Sequence, residues 1–460
     1  MVDITPPAGT HLAGSGMGDH RPAQSVLDPL YAKALVLEGG AKRVCLLAMD
    51  STIIAEPFTA AVRQAATSMG FDADAVMVHA VQTHSAPGLG RFMLDPDFPL
   101  DLPAEREYLW GSEQSYVDLA VTGAVRALRH AVDSIRPVQV GAASAIRADL
   151  AFNRRAVRRD GSIEMPWPAG RIAQPLGPVH LRYLEGPIDP EVGVLCLRDE
   201  LMRMVAMLLH YTCHPVNVFA NRWSYRAVSA DWPGAWSAAM QQTYGSHLVP
   251  IVLNGCCGNI NPWDPFDPDF VMDYRRMGGE LARTSCKAVP TISFADRGVL
   301  DWRIRRVGLP YRDVPADRQQ QADKILSGSP EPALLKDGSG QVDPEWFLAA
   351  STRSIEYCRR RMPELSYEIQ VFRIGDLAIV GLPGEPFVEG QLAIKLASPA
   401  RHTYVAHMTT QYVGYLPTAQ AFARGGHEAN ADCTYWAKLA PEALETVVQN
   451  ASATVKELFV

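Results

Sequence analysis

The chain has 460 residues, 47% hydrophobic and 20% charged, an ordinary globular composition with enough length for one large core or two ordinary domains. A formal charge of −7, from 43 Lys and Arg against 50 Asp and Glu, argues against nucleic acid or an anionic membrane surface as the main partner. No apolar stretch reaches the length of a membrane span, and the N-terminus has neither the basic nor the apolar region of a signal peptide. Eight cysteines without a C-x-x-C pair fit reduced thiols and a cytoplasmic setting.

In chain order, Ala34–Glu38 and Arg43–Asp50 are apolar runs around Gly39-Gly40, which predicts a hairpin. Phe58–Ser68 has helical spacing, and the Val- and Met-rich run from Ala75 reads as a buried strand stopped by Pro87-Gly88. Leu89–Trp110 is expected to be a long functional loop. A helix over Glu113–Ile135 would carry Tyr116, Leu119, Ala127, Leu128 and Ile135 on one stripe. A second hairpin turns at Arg198-Asp199-Glu200 and ends at His214-Pro215; Asp231–Tyr244 reads as a helix, and Val249–Asn254 as a strand running into Gly-Cys-Cys-Gly-Asn. Arg312–Glu364 is charged and helix-prone, and is expected as a lid or side insertion. A third hairpin turns at Gly375-Asp376, a strand-turn unit spans His402–Thr418, and a helix over Pro441–Leu458 closes the chain. No internal repeat is visible. The pattern predicts a mixed α/β fold with a large mixed β-sheet core and flanking helices.

Four strand ends deliver chemistry. They are QTHSAPG (82–88), YTCHP (211–215), LPGEP (382–386) and YVGYLPT (412–418), and they present His84, His214, Glu385 and Tyr415. Two imidazoles, a carboxylate and a further oxygen donor are the kind of set that holds a catalytic zinc with a position left for water. The plain alternatives are a hydrogen-bonded structural His, a turn-capping Glu and a core Tyr, since no HExxH-type signature ties the four together.

The motifs DITPP, THSAPG, FNR (152–154), CHP with SADWPG, GNINP, LPGEP, and GYLPT followed by GGHE together resemble the N-terminal catalytic domain of the neutral/alkaline ceramidases. These are zinc-dependent amidases that cleave N-acyl sphingosine. The series runs in family order over essentially the whole chain. The resemblance implies a single catalytic domain over 1–460, Zn2+ as cofactor and a metal-activated water as nucleophile. It implies His214, Glu385 and Tyr415 as metal ligands, His84 as the second His of the family's HTHSGPG, and Arg154 facing the substrate's polar end.

The chain departs from the family at several points. Gln82 stands where the family has a metal-binding His, and an amide oxygen is a poorer zinc donor than imidazole. Either His84 enters the coordination sphere, the site takes another divalent ion or none, or Gln82 is a weak ligand. His427 stands where the family has a second Tyr and would return an imidazole to the site. Asn261 rules out a Ser nucleophile at its position but suits a hydrogen bond to an oxyanion. The family's C-terminal Ig-like domain is not expected. The substrate is then expected to be a small acyl amide, or a related ester or lactone, rather than ceramide. Two other readings stay open: a metal-free hydrolase or lyase with His84 and His427 as acid and base, and a binding protein that lost its zinc. A homo-oligomer is also left open.

Cys213 and Cys256-Cys257 read as buried structural thiols rather than nucleophiles. Asp50 and Asp231 are candidates to orient a ligand His from behind, with a helix cap as the alternative for Asp231. The GSGMG of 14–18 lacks the context of a phosphate cradle and reads as a plain loop.

Overall fold

In the computed structural model, which describes residues 1–167, 175–296, 298–430 and 432–459, one four-stranded sheet is built three times. In the first, β1 (Val2–Asp3) lies antiparallel to β2 (Tyr31–Gly39), and β2 turns through Gly40 into β3 (Lys42–Met49). Helix α1 (Glu56–Thr67) then carries the chain across to β4 (Val76–Ala80), parallel to β3. After α2 (Gln114–Asp133) the pattern recurs with β5 (Gln139–Ile146), the hairpin β6 (Glu191–Arg198) and β7 (Met204–Tyr211), α3 (Asp231–Tyr244) and parallel β8 (Val249–Asn254). After α4 (Tyr274–Ala288), the third sheet starts with β9 (Leu300–Pro310), followed by α5 (Ala316–Gly328) and α6 (Pro344–Arg361). It is completed by the hairpin β10 (Glu364–Ile374) and β11 (Leu377–Gly381), α7 (Val388–Ala397) and parallel β12 (His402–Ala406), and α8 (Ala443–Phe459) ends the chain. The strand orders are β1-β2-β3-β4, β5-β6-β7-β8 and β9-β10-β11-β12.

Period-two alternation explains the packing. Leu46 and Met77, Leu208 and Leu253, and Phe372 and Ile379 point into one shared central core. Their neighbours Leu47 and Val78 face α1 and α2, Leu209 and Val252 face α3 and α4, and Val371 and Val380 face α7 and α8. Each sheet is therefore apolar on both faces, which is why its strands read as nearly continuous hydrophobic runs.

The three hairpins turn where the sequence places them, and Gly40 and Gly375 take positive φ (62° and 59°) at two of the turns. The expectation of no internal repeat is corrected at the level of topology: the repeat is in strand order, and residue identities do not follow it. The 312–364 segment holds α5 and α6, and α6 buries Trp346 and Phe347 in the core behind the first sheet.

Parallel pairing puts the C-terminal ends of β3, β4, β7, β8, β11 and β12 on one edge of the molecule. At the opposite edge the sheets splay around a cleft of about 1410 Å³, lined by Leu35, Leu37, Val140, Leu197, Val205 and Leu300 among others.

Candidate functional site

The loops leaving the C-terminal strand ends are tied to one another. Ala80 N–H donates to Met408 O, His84 N–H to Pro215 O, and Glu385 N–H to Gly414 O. A short parallel pairing of Glu385-Pro386 with Tyr415-Leu416 locks the third sheet's two loops together.

His214 leaves β7 with its ring fully buried. Its Nδ1 lies 2.6 Å from the Cys257 carbonyl and 3.1 Å from that of Ile260, so Nδ1 carries the hydrogen and Nε2 presents a lone pair. Burial and the charge of Arg154 hold His214 well below the ordinary imidazole pKa. Yet Nε2 faces Glu385 Oε2 at 3.1 Å. Two acceptors at that distance in a dry site call for a proton or a cation beside them. The other carboxylate oxygen, Oε1, accepts from the Tyr412 hydroxyl at 3.0 Å.

His84 approaches from the first sheet, its ring 5.5 Å from that of His214. Its Nδ1 donates to Gly14 O at 3.1 Å, while Nε2 is buried without any hydrogen-bonding partner. Gly14 permits this approach: it sits at φ +94°, and a Cβ there would come within 2.6 Å of His84 Nδ1. Burial, followed by the charge of His214, lowers the His84 pKa to about 3. Two neutral imidazoles and a carboxylate lie near one another, and as donor types they suit a divalent metal. Among the described residues, no three His, Cys, Asp or Glu side chains stand at metal-binding spacing.

Beside this cluster Arg154 lies 5.4 Å from the Tyr415 ring centroid. Its Nε donates to Glu428 Oε1 at 2.7 Å, and Arg155 Nη1 donates to Glu428 Oε2 at 2.8 Å. Burial works to raise the Glu428 pKa, but Arg154, His427 and Arg155 bring it down to about 2. Asn261 Oδ1 accepts weakly from Arg154 Nη1 at 3.4 Å, and Arg154 Nη2 is buried without a partner. Burial and the Glu385 charge push the Tyr415 phenol well above its usual pKa, so it stays protonated. His427 has an exposed ring in a crowded concave spot, 5.8 Å from Tyr415 and 5.9 Å from Trp436. Desolvation there lowers its pKa.

The structure thus brings His84, His214 and Glu385 together, with Arg154, Asn261, Tyr415 and His427 on one flank. Gln82 lies instead against His407 and Cys257. The tyrosine hydroxyl on Glu385 belongs to Tyr412, which sequence reasoning missed although it begins the same YVGY motif. Glu428 and Gly14 were missed as well; the GSGMG stretch read as a plain loop supplies the carbonyl that orients His84. Asp50 does not orient a histidine: it bonds Lys33 Nζ at 3.1 Å and the Tyr31 N–H. Asp231 accepts from the N–H groups of Val218 and Trp232 and from Asn217, bracing the loop after His214 without touching a His.

No protein-family model matches the chain, and neither does any curated protein. Solved structures do match in fold, two ceramidases among them. The neutral ceramidase from Pseudomonas aeruginosa shares 20% identity at a TM-score of 0.70, over 99% of this chain and 73% of that one. A ceramidase complexed with C2 shares 20% identity at a TM-score of 0.68, over 99% and 74%. The chain has a neutral-ceramidase-like, mixed α/β fold.

Proposed function

We propose that the chain is a hydrolase that cleaves the C–N bond of a small N-acyl amide with a metal-activated water. The observation that carries this reading is the contact of His214 Nε2 with the Glu385 carboxylate at 3.1 Å at one strand edge, with the His84 ring 5.5 Å from that of His214 and its buried Nε2 unpartnered. The ceramidase-like fold supports it. His84, His214 and Glu385 would hold the metal, with Tyr415 beside them. A divalent cation bound there supplies Lewis acidity and makes water a nucleophile at neutral pH.

The rest is the work of the chain's own groups. Carbonyls of Cys257 and Ile260 fix the His214 tautomer, and Gly14 O fixes that of His84. Tyr412 holds the Glu385 carboxylate in one orientation. The protonated Tyr415 hydroxyl and the Asn261 amide would donate to an oxyanion developing at the scissile carbonyl. Arg154, braced by Glu428, orients the substrate's polar end. His427, neutral and open to solvent, takes up the proton and passes it on to the leaving amine. No helix among the described residues is long and apolar enough to cross a membrane, and all eight cysteines are free thiols. The free thiols support a cytoplasmic setting.

Protein purified without chelator should carry stoichiometric metal and turn over N-acyl amides. His214→Ala and Glu385→Ala should remove the metal and lower turnover by about 10²–10⁴-fold. Absence of both metal and amide turnover would refute the reading. The direct 3.1 Å contact of His214 with Glu385 favours a second reading, a metal-free ester or lactone hydrolase in which this pair shares a proton. Chelator-resistant ester turnover would select it.

A further inference from the structure

The N-terminal segment carries a buried cation that the chemistry above leaves unused. Arg21 is 0% exposed, and among the described residues no carboxylate bonds its guanidinium. Nearby Asp19 accepts instead from the Tyr225 hydroxyl at 2.6 Å.

The donors of Arg21 all go to backbone carbonyls. Nε and Nη2 both reach Tyr225 O, at 3.2 and 2.8 Å. Nη2 also donates to His84 O at 3.0 Å, and Nη1 to Ala13 O at 3.2 Å. The guanidinium carbon lies 4.7 Å from the Phe219 ring centroid and 4.4 Å from that of Tyr225. The main chain of Arg21 is fixed as well: its N–H donates to His11 Nδ1 at 3.1 Å, and its carbonyl accepts from the Leu12 N–H. A buried charge without a counter-ion is expensive, and aromatic faces offset only part of that cost. What a guanidinium supplies in return is a rigid planar fork of donors that binds carbonyls of separate segments at once.

The position of those carbonyls gives the fork its meaning. His84 is oriented by the bond from its Nδ1 to Gly14 O. Ala13 immediately precedes Gly14, so Arg21 grips the main chain on both sides of that contact. A bond from the Ala13 N–H to Ala86 O runs alongside. Phe219, under the same guanidinium, packs on the His84 ring with 5.4 Å between centroids. The Gly14 carbonyl can only accept, so it selects the tautomer with the hydrogen on Nδ1 and the lone pair on Nε2. Without that contact a neutral imidazole is free to take either tautomer.

We infer that Arg21 is a positioning residue for His84. Its guanidinium clamps the 13–14 and 84–86 segments together, so that the His84 ring keeps one orientation and one tautomer, with the lone pair on the buried Nε2. The effect of the clamp on turnover rests on the hydrolase reading above, whereas its effect on the ring does not.

Spectra and kinetics together test it. In 15N-His spectra of the metal-free protein, His84 should show a protonated Nδ1 and an unprotonated Nε2. Arg21→Lys keeps the charge and loses the fork, so His84 should then populate both tautomers. The signals of His79 and His407, which bond to backbone groups elsewhere, should stay as they are. For an N-acyl amide, kcat should fall by roughly 10–100-fold with KM little changed. Adding Gly14→Ala to Arg21→Lys should lower kcat little further, because both act through one contact. A protonated His84 Nε2 in the wild type, an unaltered His84 spectrum in folded Arg21→Lys, or multiplicative losses in the double variant would overturn the assignment. Where Arg21→Lys does not fold, Tyr225→Leu removes one ring from the guanidinium and leaves the carbonyl of that residue in place. The second His84 tautomer should then appear in smaller amount, and its absence would overturn the assignment equally. A wild type without amide turnover would refute the hydrolase reading alone, and the His84 spectra would still decide the clamp.

Discussion

The two edges of the three sheets are made by the same strands and could hardly differ more. The C-terminal edge holds the imidazoles, the carboxylate and buried polar atoms without partners, among them His84 Nε2, Ser85 Oγ, Arg154 Nη2, Thr409 Oγ1 and Trp436 Nε1. Gln82, Met408 and Thr410 adopt positive φ there. The N-terminal edge holds a cleft of about 1410 Å³, but none of the buried unpartnered atoms among the described residues lies in its lining. Unsatisfied donors and acceptors cost about 1–3 kcal/mol each and strained backbone a similar amount. A fold tolerates such costs where something else uses them. Volume is a poorer guide to the chemistry than unmet hydrogen-bonding capacity.

The comparison is tested most severely by acid. His79 and His407 at the reactive edge, His210 in β7 and His11 in the N-terminal segment have pKa values lowered to about 3, 4, 4 and 3, in each case chiefly by burial. The unfolded chain, with values near 6.5, takes up these protons first. Stability is therefore full above pH 6.5 and is lost as pH falls toward 4, by up to about 1.4 kcal/mol per pH unit for each histidine. Urea unfolding across this range should show a steep decline and loss of the fold before pH 4. His407→Gln should reduce the slope by one proton, and a flat profile from pH 7 to 4 would contradict the buried neutral rings.

A smaller effect isolates a single contact at the reactive edge. Gly9 and Gly14 both have positive φ, 90° and 94°, but a Cβ at Gly9 meets nothing within 4 Å, whereas one at Gly14 collides with the His84 ring. Gly9→Ala should cost only backbone strain, about 1 kcal/mol. Gly14→Ala should cost about 1–3 kcal/mol and should also lower amide turnover by roughly 10–100-fold, the range for disturbing a group that orients a metal ligand. Thermal unfolding and turnover measured on both variants separate strain from displacement. Equal turnover losses would show that His84 is not held by this contact.

How much of this was legible beforehand depends on what each feature demanded of residue identity. Strand ends were readable because a polar group after a Val-rich run is conspicuous, and His84, His214 and Glu385 were found that way. The threefold topology was not, because a buried strand accepts Val, Leu, Ile, Met or Ala at each apolar position, so three like sheets need share no residues. Tyr412 and Tyr415 stand three apart on one short motif, and only the pairing of Glu385 with Tyr415 across the third sheet's loops settles which hydroxyl reaches the carboxylate. His407 ends its strand as visibly as the others, but its meaning lies in Asn254 and Gln82, which are 153 and 325 residues away.

The smallest expected effect is the one that most directly probes the cleft. Val205 is half-buried in its lining, so Val205→Ser removes apolar surface without opening a closed core. A partly exposed position of this kind should change stability by about 0.5 kcal/mol or slightly more. Amide turnover should be unchanged within error, because the cleft and the reactive edge share no lining residue and β7 separates Val205 from His214 by most of its length. A fall in KM or kcat of several-fold, with the unfolding temperature retained, would mean that the substrate or its tail reaches the cleft through the central core. The contrast between an edge that reacts and an edge that is merely open would then be wrong.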